Sequence, residues 1–321
     1  MRGLRSARKA RVVFLSALAL LAARPAPQSR WSTAARLPEP LLDAHAATLD
    51  GKIYVAGGLD SAGRPTRHAY RYDPSTDRWE RISDLPAPRH GMPLVVWGDT
   101  LYALGGFSGR ELRAERTMWT YRADRDLWVD RPQLPAPRGA GAATVVDDLI
   151  VLVGGLMRFS DGGLVAACAV YEPKVHAWIE VWPLPTLRDH LTAQAVDGIV
   201  YVIGGRLLSA AQNYDVVEAY HPRLLAGGRW SGRDAMPIPI GDLASVVINR
   251  KIHTFGGETP NEVLDKHEVY DPARDSWSEA EPLPTPRHGV AAATVNGRVF
   301  VIGGSPKPGI AATDIVEVYT P

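Results

Sequence analysis

Short apolar runs recur along the chain, each bounded by glycine, proline, asparagine or aspartate. Val95-Val96, Leu101-Tyr102-Ala103-Leu104 and Ile199 to Ile203 are apolar, with β-branched and aromatic side chains. Runs this short predict strands rather than helices. Asp50-Gly51, Asp197-Gly198, Asn296-Gly297 and Gly98-Asp99 punctuate them, and such pairs accept the positive φ of two-residue hairpin turns. Each unit therefore reads as four strands. One precedes the hairpin, one runs into a Gly-Gly doublet, one ends at a Tyr and one carries a Trp.

Two markers hold the units in phase. Six doublets stand at Gly57-Gly58, Gly105-Gly106, Gly154-Gly155, Gly204-Gly205, Gly256-Gly257 and Gly303-Gly304. Six tryptophans (Trp31, Trp79, Trp128, Trp178, Trp230 and Trp277) each precede a doublet by the same 26 residues, although successive repeats run from 47 to 52 residues. A fixed interval inside variable repeats marks a rigid core with variable loops. Leu-Pro or Met-Pro follows each Trp by six residues, and Tyr72, Tyr121, Tyr171 and Tyr270 precede theirs by seven. A lone four-stranded sheet leaves both faces exposed, whereas six stacked around an axis bury them.

The doublet, Tyr and Trp positions resemble the kelch repeat over residues 31–321. Arg89-His90-Gly91 and Arg287-His288-Gly289 are similar to motifs of exported bacterial kelch proteins. The resemblance implies an all-β, six-bladed kelch β-propeller over residues 29–321. Tyr319 is in phase but has no following Trp before Pro321, while Trp31 precedes any first-repeat strand. An N-terminal strand around Trp31 is therefore expected to complete the last blade, close the ring and remove its free edges.

Residues 1–28 read as a signal peptide or an N-terminal anchor. Arg2, Arg5, Arg8, Lys9 and Arg11 precede an apolar stretch from Val12 to Ala23, too short for an ordinary membrane span. This places the protein in the secreted, periplasmic or cell-surface compartment. Of 36 basic residues, six lie in this segment, which leaves 30 against 35 acidic, a net charge of −5. With no basic run in the remainder, nucleic acid is not an expected partner. The single Cys168 allows no internal disulfide,. A monomer is expected.

In a propeller the start of the innermost strand and the end of its neighbour share one rim. Ten to twelve residues after each Trp stand Leu41-Leu42-Asp43, Arg89-His90-Gly91, Arg138-Gly139-Ala140, Arg188-Asp189-His190, Ile240-Gly241-Asp242 and Arg287-His288-Gly289. The doublets are followed by Leu59, Phe107, Leu156, Arg206, Glu258 and Ser305. The rim thus has an apolar and a charged side, as small-ligand sites tend to have. Asp43, Arg89, His90, Phe107, Arg188, His190, Asp242, Arg287 and His288 are ligand-binding candidates there. The recurring arginines also read as scaffold, bonding carbonyls between blades. Arg206 and Glu258 occur once each at their phase, so they read either as a site or as an inter-blade ion pair.

No metal or cofactor is expected. His45, His90, His190 and His288 come from four different blades without ligand spacing. Copper oxidases of the galactose oxidase type are kelch propellers with a Tyr-Cys cofactor, but Cys168 lies in a third strand far from the axis. No nucleotide or serine-hydrolase motif is present. The resemblance implies a binding module that recognises a protein or glycan at the axial rim. Its alternative is a carbohydrate-active enzyme resembling sialic-acid mutarotases, with Glu258 and Arg206 as catalytic candidates and Arg287 on a sugar carboxylate.

Overall fold

A computed structural model describes residues 29–109, 113–157, 163, 167–223 and 228–321. The reading of residues 1–28 as a leader or anchor falls outside them. The described residues hold strands and no helix. Among the described residues six antiparallel four-stranded sheets form, five of them built in sequence order from the axis outward. The innermost strands are His45–Leu49, Leu94–Trp97, Ala142–Val146, Thr192–Val196, Ala244–Ile248 and Ala291–Val295. They define blades 1 to 6.

The last blade takes three strands from the C-terminal end and its outer strand, Trp31–Thr33, from the N-terminal end. Trp31 lies opposite Tyr319, in the register in which Tyr72 faces Trp79 and Tyr270 faces Trp277 in continuous blades. Its ring centroid is 5.1 Å from that of Tyr319, against 4.9 Å for the first of those pairs. The phased Tyr are thus blade core, the phased Trp pack on them (Trp31 and Trp128 buried, the other four half-buried), and the split blade repeats the same packing unit.

The repeated Trp also ties blades together. Each indole N–H donates to a carbonyl four residues after the preceding blade's Trp: Trp79 to Ala35, Trp128 to Ser83, Trp178 to Pro132, Trp230 to Trp182 and Trp277 to Asp234. Trp31 completes the circle by donating to Glu281 at 3.1 Å.

The doublets close the inner seam. Each second glycine donates its N–H to the next blade's carbonyl ten residues after Trp, as Gly58 does to Arg89 at 2.8 Å and Gly304 to Leu41 at 2.8 Å. A Cβ on Gly57 would sit 2.5 Å from that same Arg89 oxygen, and its φ is +68°. Glycine is required on both counts.

Candidate functional site

The rim forms from pairing within each blade. The residue eleven after Trp and the residue after the doublet meet as bridge partners: Leu42 with Leu59, His90 with Phe107, Gly139 with Leu156, Asp189 with Arg206, Gly241 with Glu258 and His288 with Ser305. The next residue in each blade turns the chain toward the axis in left-handed backbone. Asp43, Gly91, Ala140, His190, Asp242 and Gly289 have φ between +48° and +60°. Their amides and carbonyls form a closed ring of six inter-blade hydrogen bonds, 2.9 to 3.0 Å long. Asp43 donates to Gly289, Gly289 to Asp242, Asp242 to His190, His190 to Ala140, Ala140 to Gly91 and Gly91 to Asp43. The ring frames an axial mouth.

The recurring arginines point away from this mouth into the blades. Arg188 and Arg287 have fully buried side chains. Arg287 donates to the Gly303 and Ile315 carbonyls at 2.7 and 3.1 Å and pairs with Glu317 at 2.7 Å. Arg188 donates to the Gly204 and Val202 carbonyls and pairs with Glu218. Arg89 lies over the Trp119 ring, 4.9 Å from its centroid. Arg138 has no acid beside it and is pushed down to about 10 by burial. The carbonyl-bonding role thus accounts for Arg188 and Arg287. The sugar carboxylate assigned to Arg287 has no place, because its guanidinium is already fully engaged.

The apolar side of the rim is a packed plug. Phe107, Leu156, Ala140 and Ala114 form a small core against Leu208, and Phe107 is 1% exposed. Phe107 also lines the axial cavity, its ring tilted against His90 with centroids 5.3 Å apart.

The charged side is a network across blades 4, 5 and 6. Arg206 pairs with Glu258 and lies 3.5 Å from Asp189. Asp189 bonds His190 and accepts the Leu208 N–H at 2.9 Å. Burial raises the Asp189 carboxyl, but the His190 bond and charge, the Leu208 amide and Arg206 outweigh it and hold it below the usual range. Asp242, Glu258 and His288 lie close enough to suggest a metal triad. Yet His288 Nδ1 faces Asp242 at 2.7 Å, and its Nε2 faces the Lys307 and Gly309 carbonyls at 3.1 and 3.2 Å. Carbonyls only accept, so both nitrogens carry protons and the ring is an imidazolium, which does not ligate metal.

That imidazolium gives a pH signature. Burial alone would lower His288, but the bond to Asp242 and the charges of Asp242, Glu258 and Asp43 raise it to about 9. An unfolded histidine titrates near 6.5. The folded value lies above the unfolded one, so the contribution is full below about 6.5 and is lost as pH rises toward 9. Melting curves between pH 6 and 10 should show the natural chain losing about 2–4 kcal/mol more stability than His288→Gln. The Cys168 thiol, pushed up to about 12 by burial, adds an alkaline loss common to both proteins. The difference between them isolates His288, and parallel curves would refute its charged state.

Below the mouth lies a narrow axial channel. Its upper cavity, about 50 Å³, is lined by Asp43, His45, His90, Phe107, His190 and Asp242 among others. A second of about 110 Å³ continues inward between alanines, with Thr192, Gln194 and Ser245 as polar spots. His45 joins the two and is lowered to about 4 by burial, against the charges of Asp43 and Asp242.

The structure therefore gathers Asp43, His90, Phe107, His190, Arg206, Asp242, Glu258 and His288 at one mouth, and turns Arg89, Arg188 and Arg287 elsewhere. Asp189 was not singled out from sequence. The signal was there, since it is the sole acid eleven residues after any of the six Trp. The two small hairpins flanking the mouth, Phe107–Ser108 with Arg113–Ala114 and Arg206–Leu207 with Ser209–Asn213, were also unforeseen.

The KLHDC2/KLHL20/DRC7 Kelch-repeats domain model matches residues 28–205, and the Kelch motif model matches residues 239–284. The chain belongs to the kelch-repeat family. Similar curated proteins include Kelch-like protein terF of Aspergillus terreus, 29% identical over 76% of this chain and 45% of that protein. Alpha-scruin of Limulus polyphemus is 24% identical over 76% of this chain and 28% of its own. Human Kelch-like protein 23 is 25% identical over 68% and 38%. The kelch chain spans less than half the length of these relatives. The solved structure titled "Structure of YjhT" superposes with a TM-score of 0.77 at 14% identity, over 90% of this chain and 97% of that one. That likeness concerns the fold.

Proposed function

We propose that this kelch propeller is an exported binding module that engages a protein partner with the face around its axial mouth. The observation that carries this reading is the state of the mouth. Arg206 and Glu258 neutralise each other, and the cavity between the blades is about 50 Å³. Small-ligand pockets run from about 300 to 1,000 Å³. A sugar ring has no room there, and Glu258 has no free carboxylate with which to move a proton. The loops between second and third strands, by contrast, differ in every blade and present a broad, irregular surface around the mouth. Export is supported by the basic-then-apolar leader pattern of residues 1–28,.

A photo-crosslinking amino acid placed at Met157, which is 42% exposed on this face, tests the assignment. The same probe in the Asn296-Gly297 hairpin, at the other end of the blade, is the control. A discrete protein adduct is expected from Met157 and none from the hairpin. Adducts from the hairpin alone would contradict the reading. Sugar-anomer exchange followed by NMR, with sialic acid and neutral sugars, is expected to show no acceleration. Acceleration abolished by Glu258→Gln would restore the enzymatic alternative.

A further inference from the structure

The mouth has a charge imbalance and two polar groups left without partners. Four carboxylates stand around it: Asp43, Asp189, Asp242 and Glu258. Set against them are Arg206, His288 and the His190 ring bonded to Asp189. The deficit is local to blade 1. The Asp43 and Asp242 carboxylates both overhang Gly289, where a Cβ would meet their oxygens at 2.6 and 3.3 Å. Asp242 is bonded by His288, whereas the Asp43 carboxylate receives no hydrogen bond from any described residue. The His90 imidazole lies 3.6 Å from it, too far for a hydrogen bond. His90 is itself 5% exposed, lines the same cavity, and has no hydrogen bond at either ring nitrogen. Buried polar groups in native proteins are almost always hydrogen-bonded, and one left without a partner calls for an explanation.

A positively charged donor in the cavity would serve the Asp43 carboxylate and one His90 nitrogen at once. It would accept Asp43 as counter-ion, donate to the His90 lone pair, and reduce the negative excess. A single water needs about 10–15 Å³ on this measure, so about 50 Å³ admits the polar head of a side chain. A compact ammonium with three rotatable donors suits that space better than the rigid planar fork of a guanidinium. Asp43 keeps 15% of its side chain exposed, so its carboxylate can be reached from solvent. Phe107 lines the same cavity, and an apolar wall suits the methylene stem of a lysine.

We propose that the axial mouth is a receptor for one primary ammonium group, held by Asp43 and His90, and that this group is a lysine side chain of the protein partner. The proposal deepens the reading of this face as a protein-binding surface and rests on it. A small-probe experiment separates the two, because it succeeds or fails without the partner.

The probe is acetyl-Gly-Lys-Gly-amide, titrated into the full chain carrying 13C-labelled histidine, with imidazole resonances followed by NMR. The His90 and His45 signals, assigned through His90→Gln and His45→Gln, are expected to shift saturably. The same peptide with Nε-acetyllysine keeps the length and removes the charge, and sodium butyrate supplies an anion. Apparent affinity should fall at least tenfold for the acetylated peptide, and butyrate should leave both signals in place. Asp43→Asn should cost the lysine peptide a similar factor while keeping the backbone ring, since asparagine tolerates the φ of +54° at this position,. A melting temperature equal to that of the natural chain would verify that the fold is intact. Equal responses to the charged and acetylated peptides, unchanged affinity in Asp43→Asn, or saturable butyrate binding would each overturn the ammonium site. Crosslinking from Met157 would stand or fall separately.

Discussion

Deleting residues 29–38 is expected to remove cooperative folding of the whole propeller, although ten residues are a small part of the chain. The segment contributes the outer strand of blade 6, with Trp31, Ser32 and Thr33 paired to Tyr319, Val318 and Glu317. Trp31 is 9% exposed and Leu37 is 3% exposed. Trp31 packs on Phe255, His267 and Tyr319 with centroids 6.1, 6.0 and 5.1 Å away, so it also joins blade 5 to blade 6. Burying two such side chains stabilises by about 3–6 kcal/mol before the lost backbone pairing is counted. Domains of this size are stable by about 5–15 kcal/mol. The ring also opens, which exposes the edge of blade 6 and the face of blade 5. Trp31→Ala alone should cost about 3–5 kcal/mol. Calorimetry should show the natural chain unfolding in one transition, and the truncated chain melting broadly or not at all. An unchanged melting temperature would refute closure by the N-terminal strand.

The second large effect is expected at Arg287. Replacing it with methionine should destabilise the chain by about 3–5 kcal/mol, because Glu317, 4% exposed at its side chain, is left as a buried unpaired charge. Glu317→Leu should cost about as much for the reciprocal reason. The double variant should recover much of the loss, since an apolar pair of similar volume can replace a buried ion pair at little cost. Urea unfolding of the four proteins measures the coupling. Additive losses would mean that the two residues do not act as a unit. A ligand-binding arginine would behave differently, with stability retained and binding lost.

These two residues show where the sequence was legible and where it was not. The doublets were readable because backbone packs directly on backbone. At Gly57 a Cβ would collide with the Arg89 oxygen, so the requirement is written in residue identity. The Trp interval was readable for the same reason, since every indole must reach one carbonyl of the preceding blade. The axial ring was not readable as a ring. It needs left-handed backbone, an amide and a carbonyl, and Asp, Gly, His and even Ala140 at φ +51° can supply them. Its occupants therefore vary, and Asp43 and Asp242 looked like site residues without showing their shared backbone role.

The arginines were recognisable as a phase but not by partner. Arg188 with Glu218 and Arg287 with Glu317 share an interval of 30 residues, which the pairing of second and third strands produces. In the register that sets Glu218 opposite Val202 and Glu317 opposite Val301, Ala169 stands opposite Leu152, so Arg138 lacks the acid; Glu268 stands opposite Thr254, but Ile240 replaces its arginine. Phe107 read as an open contact, yet Gly139 makes room for its ring: a Cβ there would lie 2.6 Å from three of its atoms. Such a fit joins two blades and leaves no local trace.

The claim at the centre of this account is that the face around the axial mouth does the binding. Hydrogen exchange of the chain with and without the partner recovered by crosslinking measures it directly. Slowed exchange is predicted in the loops between second and third strands around residues 59–66, 206–216, 258–264 and 305–313, with the hairpins at Asp50-Gly51 and Asn296-Gly297 unchanged. Protection confined to those hairpins or to the outer strands, with the mouth loops exchanging as before, would contradict it.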